Sequence, residues 1–153
     1  MPRETIPSHF FTIIIIRRGH RFLLVQEKKG QWYFPGGGVL PREDLFQAAQ
    51  RETLEEASIS IFIEGIYRLE YIANPDGTSR FRIIFTARPV DDMLPKSEPD
   101  EETLQAKWFT VKEIEQLSLR SSEVLDIIND VLNGAAISST DLLLTNPLKI
   151  RTL

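Results

Sequence analysis

The chain has 153 residues, 42% of them hydrophobic and 26% charged, which suits one globular domain with a buried core. A net charge of −4 supplies no basic footprint for nucleic acid, and the lack of cysteine removes disulfide frameworks and thiolate metal sites. The longest apolar run, His9 to Ile16, is too short to span a bilayer and lacks the basic start and small-residue cleavage site of a secretory leader, so a cytoplasmic protein with no membrane partner is expected.

Phe10 to Arg17 is rich in β-branched and aromatic residues and reads as a buried strand. Arg18-Gly19-His20 turns it into a second, Arg21 to Gln26. Glu27 to Gln31 is a polar loop, and Trp32-Tyr33-Phe34 is a short strand that delivers the chain to Pro35-Gly36-Gly37-Gly38. A proline and three glycines cannot form a helix interior, so they predict a tight loop. Good helix formers follow, through Arg51-Glu52-Thr53-Leu54-Glu55-Glu56-Ala57.

Residues three and four apart share a helix face, so Glu52, Glu55 and Glu56 are expected together, continuing a stripe that begins at Leu45, Ala48 and Ala49. Three carboxylates so close repel one another, and near a helix C-terminus the macrodipole disfavours them further. A hard divalent cation with oxygen ligands answers that repulsion, and Mg²⁺ commonly arrives with waters and a phosphate-bearing substrate. An isolated acidic run is otherwise a solvated helix face.

The surrounding residues decide between the two. Gly37, Glu43, Arg51, Glu52, Glu55, Glu56 and Ile59 stand in the register of the Nudix box, the signature of the MutT-like pyrophosphohydrolases, which this stretch resembles. Six fixed Gly, Glu and Arg positions coincide by chance in about one register in 10⁷. Two positions depart from the pattern. Thr53 replaces an apolar residue, and Ser58 replaces the glycine that ends the helix, at a cost of about 1 kcal/mol if it turns left-handed.

Beyond the helix, Ile59 to Ala73 is extended, with Ile61, Ile63, Tyr67, Leu69 and Tyr71 on odd positions. Asn74-Pro75-Asp76-Gly77 is a turn, and Arg80 to Val90 returns as an antiparallel partner. Asp91 to Asp100 is a surface loop, and Leu104 to Thr110 a strand. Thr110 and Glu113 form a capping box for a helix through Leu117. Ser121 or Ser122 caps Glu123 to Leu132, whose Val124, Ile127, Ile128 and Val131 make an apolar stripe ended by Gly134. From Ala135 the chain is a tail with an apolar Leu142-Leu143-Leu144 patch, then Asn146-Pro147 and a basic end. The expected class is α/β (α+β), a mixed sheet sandwiched between helices. It matches the α/β/α Nudix fold that the resemblance implies for residues 3–134, with 135–153 as the tail.

The resemblance implies hydrolysis of a nucleoside diphosphate-linked substrate with Mg²⁺ or Mn²⁺. It assigns Glu52, Glu55 and Glu56 to the metal, adds the Gly36 carbonyl, and draws a further carboxylate from Glu98, Glu101 or Glu102, of which Glu102 is chosen. Either Glu52 or Glu55 orients or deprotonates the attacking water. Arg51 is read as the partner that holds a glutamate in place, with Glu43 as its ion-pair mate, and Gly37 as part of the structural motif. For the substrate, Phe10, Tyr33, Tyr67, Tyr71 and Phe81 are stacking candidates that core packing claims equally well. Arg80 and Arg82 are either phosphate contacts or solvated edge charges. His9 and His20 have no ligand spacing. Trp32, Trp108-Phe109 and Leu119-Arg120-Ser121 resemble enzymes that hydrolyse oxidised guanine nucleoside diphosphates. The partner is thus a small nucleotide or other diphosphate; the oligomeric state stays open, a homodimer included. The competing reading is a non-catalytic module of the same fold that senses a nucleotide or binds a protein, against which the retained carboxylates argue.

Overall fold

A computed structural model describes residues 3–145. The long first strand, β1 (Ser8–Arg18), carries the architecture, because four consecutive isoleucines, Ile13 to Ile16, are buried on both of its faces. It runs parallel to β6 (Ser79–Pro89), which pairs antiparallel with β5 (Ile61–Ala73). At its C-terminal end β1 passes into a hairpin with β2 (Arg21–Gln26), and β2 pairs with both β3 (Trp32–Tyr33) and β7 (Gln105–Phe109). The sheet is mixed, as expected.

Two helical layers close it. Ile14 and Ile16 face α1 (Leu45–Ala57) in a core with Leu23, Ala49, Ile59, Ile83 and Phe85. Ile13 and Ile15 face the opposite way, toward α2 (Val111–Ile114) and α3 (Glu123–Leu132), with Phe22, Phe34, Ile114, Val124 and Ile128. An unbroken apolar run is what a strand covered on both faces requires. Truncating fully buried Ile14 to alanine would cost about 2–5 kcal/mol.

The helix that bears the acids is framed at both ends. Asp44 is its N-cap, its side chain taking the Gln47 amide at 2.8 Å while Gln47 takes the Asp44 amide at 2.9 Å. Ser58 ends it at φ 58° and ψ 28°, the left-handed conformation, with its amide on the Leu54 carbonyl. Thr53 is fully buried, and its hydroxyl donates back to the Ala49 carbonyl at 2.8 Å, so the missing apolar residue leaves no unsatisfied group there.

Three expectations change, and the tail, whose docking was left open, is settled for its described part. The glycines are not a loop: Gly36–Gly38 form a short strand, β4, antiparallel to β1. A Cβ on Gly36 would stand 2.2 Å from the Thr12 carbonyl oxygen, so glycine allows close strand approach here. The odd-numbered stripe of β5 fails because the strand is irregular between Ile63 and Gly65 and between Ile66 and Arg68, and because its far end runs beyond the core, leaving Leu69 and Tyr71 exposed. Helix α2 stops at Ile114, since the chain is then drawn alongside Trp32: the Trp32 amide bonds the Ser118 carbonyl at 2.9 Å and the Arg120 amide bonds the Trp32 carbonyl at 3.0 Å. The tail docks as far as it is described. Ile66 and Ser138 exchange backbone bonds of 2.9 Å, and Leu143 packs on the core. Asn146-Pro147 and the basic end lie outside the described residues.

Candidate active site

Arg51 is the hub of the acidic helix. Its Nε and Nη2 meet the two oxygens of Glu43 at 2.6 and 3.0 Å, its Nη2 also donates to the Gly38 carbonyl at 3.0 Å, and its Nη1 reaches Glu52 at 3.1 Å and Glu55 at 3.0 Å. Every guanidinium nitrogen is thus engaged by a protein oxygen. Arg51 holds the Glu43 carboxyl below its ordinary value. Glu43 lies just before the N-cap, not in the first turn, and it also takes the Leu40 amide at 3.0 Å.

The three glutamates separate into two ridges. Residues four apart stack along a helix, so Arg51 pairs with Glu55 and Glu52 with Glu56. Glu52 is 9% exposed and tucked against the glycine strand: a Cβ on Gly37 would stand 2.4 Å from its Oε1. Glu56 is pushed well above the carboxylate range, first by burial and then by the hydrogen bond and charge of Glu52, while the Gly36 backbone pulls the other way. Glu55 is turned to Arg51 on the more open ridge. Among the described residues, no three acidic or histidine side chains converge as a ready-made metal cluster. Of the three glutamates expected together, Glu52 and Glu56 stand side by side while Glu55 is bonded to Arg51.

Glu56, Gly36 and Gly37 face a cleft of about 740 Å³. Glu102 lines it too, whereas Glu98 and Glu101 do not. The far wall is built on β1, β6 and the entry to α3. Arg82 is clamped between Glu70 at 2.6 Å and Glu123 at 2.9 Å, and Tyr33 hydrogen-bonds both Arg82, at 3.0 Å, and Glu123. Arg82 lowers the Glu123 carboxyl to about 2, and burial raises the Tyr33 phenol to about 12. Arg82 is therefore neither a solvated edge charge nor a free phosphate contact. Arg80 differs: its guanidinium lies 4.8 Å over the Phe11 ring, and its buried Nε has no hydrogen-bond partner among the described residues. Arg120 lies 4.7 Å over Tyr33 and reaches Glu27 at 3.2 Å.

Of the five aromatic candidates only Tyr33 lines the cleft. Tyr71 is 62% exposed, Tyr67 bonds Asp130 at 2.6 Å, and Phe10 and Phe81 pack on each other with ring centroids 5.7 Å apart. The sequence reading missed Phe11, Glu27 and Glu123. For Phe11 the signal was present: it shares the odd face of β1 with Ile13, which also lines the cleft.

The carboxylate pair fits a divalent cation by its donor chemistry, since two neighbouring acids, one buried and one half-buried, are both charged only when a cation stands with them, and otherwise one of them holds a proton.

Residues 8–126 match the family model described as the NUDIX domain, and the chain belongs to the Nudix family. It is 36% identical over 111 residues to human 8-oxo-dGDP phosphatase NUDT18, covering 69% of this chain and 33% of that protein. It is 30% identical over 130 residues to Phosphatase NudJ of Escherichia coli, covering 82% of this chain and 84% of that protein. A solved NUDIX hydrolase from Nitrosomonas europaea superposes with a TM-score of 0.75 at 26% identity, covering 90% of this chain and 97% of that one. The chain spans about a third of the length of the NUDT18 proteins it matches. Among the described residues, no helix is long and apolar enough to cross a membrane.

Proposed function

We propose that this protein is a metal-dependent pyrophosphohydrolase acting on a nucleoside diphosphate-linked substrate. One observation carries the reading. Glu52 and Glu56 are packed under a glycine strand, and Glu56 opens, with Glu102, on a cleft large enough for a nucleotide. Glu52, Glu56, Glu102 and the Gly36 carbonyl are the residues assigned to hold Mg²⁺ or Mn²⁺; Glu55 joins them only by leaving Arg51. The bound ion supplies charge neutralisation of the diphosphate oxygens and a lowered pKa for a coordinated water.

The chain's own groups do the rest. Glu52, held by Arg51, is favoured over Glu55 for orienting the attacking water, because it is buried against the glycine strand beside Glu56 whereas Glu55 is turned outward to Arg51. Arg51 acts by positioning, since all its nitrogens are already bound. Water oxygen adds to one phosphorus as its proton passes to Glu52, the bridging P–O bond breaks, and the second phosphate leaves with the electron pair. Arg80 on Phe11 and Arg120 on Tyr33 offer cationic planes for the remainder of the substrate. Oxidised guanine nucleoside diphosphates are the first substrates to try, because human NUDT18 is named for 8-oxo-dGDP and Arg120 and Ser121 line the cleft.

The test is a panel of nucleoside di- and triphosphates, nucleotide sugars and dinucleoside polyphosphates with Mg²⁺, products read by phosphorus NMR. Turnover of a diphosphate-containing member is expected. A ligand that stabilises the protein yet is recovered intact after long incubation with metal would instead identify a non-catalytic sensor.

A further inference from the structure

The loop between β6 and β7 holds a buried cation. Lys96 is 9% exposed, although the residues around it are open to solvent. Its Nζ meets Asp100 Oδ2 at 2.5 Å, the Glu55 carbonyl at 2.5 Å and Thr103 Oγ1 at 3.3 Å. Its backbone amide donates to the Ala57 carbonyl at 2.8 Å, and the Thr103 hydroxyl donates to the Glu56 carbonyl at 2.6 Å. The carbonyls of Glu55, Glu56 and Ala57 have no partners within their own helix, and this loop supplies all three.

Asp100 faces both ways. Oδ2 takes Lys96, while Oδ1 accepts the amides of Glu102 at 2.8 Å and Thr103 at 3.1 Å. Lys28 donates to the Asp100 carbonyl from the opposite rim. The backbone of Glu102 is thereby tied through one carboxylate and one ammonium to the last turn of the helix that carries Glu52 and Glu56. A cation at that helix end also opposes the macrodipole.

We infer that Lys96 and Asp100 form a positioning latch that fixes Glu102 against the end of α1, so that the carboxylates of the helix and of the loop meet one ion as a single rigid set. Neither residue touches substrate or metal. The inference rests on the assignment of Glu102 to the metal, and the experiment separates the two.

Mn²⁺ dissociation constants are measured by electron paramagnetic resonance of free Mn²⁺, without substrate, for the unaltered protein, Glu102→Gln, Asp100→Ala and the double variant, with melting temperatures recorded for each. Glu102→Gln is expected to weaken Mn²⁺ about tenfold in the unaltered protein but less than twofold once Asp100 is alanine, because a Glu102 released from the latch has already lost its contribution. A full tenfold loss in both backgrounds overturns the latch and leaves Glu102 as a ligand. No loss in the unaltered protein overturns the Glu102 assignment and the latch with it. Lys96→Met repeats the cycle from the other end, and Lys96→Arg replaces it if the methionine variant does not fold. Coupling of this kind in a protein that hydrolyses nothing would refute the activity and uphold the latch.

Discussion

Arg51 grips Glu43 fork to fork, with Nε 2.6 Å from one carboxylate oxygen and Nη2 3.0 Å from the other, across eight residues of chain. The pair ties the segment before α1 to the middle of the helix, and the same guanidinium holds Glu52. Lysine has no planar fork and cannot reproduce these contacts. Arg51→Lys is expected to lower stability by about 2–3 kcal/mol, because both side chains are mostly covered and Glu43 is left without its mate. Urea denaturation checks the value, and a change within 0.5 kcal/mol (about the spread for neutral surface substitutions) would mean the pair contributes nothing.

Gly37→Ala places a methyl 2.4 Å from Glu52 Oε1 and 2.6 Å from its carboxyl carbon. One side must move, and the carboxylate is the more mobile. Mn²⁺ affinity is expected to fall by about 10–100-fold with little loss of helical circular dichroism, the scale seen when a ligand's support is disturbed. Unchanged affinity, measured by titration, would show that Glu52 is not a ligand.

Much of this was legible in the sequence, and the exceptions have physical causes. Apolar runs placed the strands, and the capping residues Thr110 and Glu113 placed the start of α2. The Arg51–Glu43 contact followed from the resemblance. Helix periodicity placed three glutamates on a common face, but did not show that Arg51 would claim Glu55 one ridge over. Lys96 reads as one more charge in a proline-containing surface loop, since its burial depends on carbonyls brought to it by the fold. Arg80 and Arg82 look equivalent along a strand; only Glu70 and Glu123, from other elements, distinguish them.

Glu123 gives the protein an acid-sensitive seam between α3 and the sheet. Arg82 is the first cause of its lowered pKa, so its contribution is fully present above the ordinary value of 4.5 and is lost as pH falls through about 2. Because the carboxylate is partly exposed, the loss is expected to be about 1–2 kcal/mol. Glu123→Gln should flatten the stability profile between pH 5 and pH 2 (roughly the interval set by the two values). A variant whose denaturation midpoint falls as steeply as that of the unaltered protein would refute the assignment.

Arg80 is expected to bind substrate without entering the chemistry. Arg80→Met should raise KM about tenfold and change kcat less than about twofold, the pattern of a contact made equally in ground and transition states. Steady-state kinetics decide it, and a loss confined to kcat would move Arg80 into the catalytic group.

In the proposed function, buried Glu52 and half-buried Glu56 together hold the divalent ion that drives phosphoanhydride hydrolysis. Replacing Glu56 with glutamine keeps its size and removes its charge. With saturating nucleoside diphosphate and Mg²⁺, kcat for Glu56→Gln is predicted to fall by about 10² or more, by analogy with the loss of other electrostatic stabilisers. A rate near that of the unaltered protein would contradict the account.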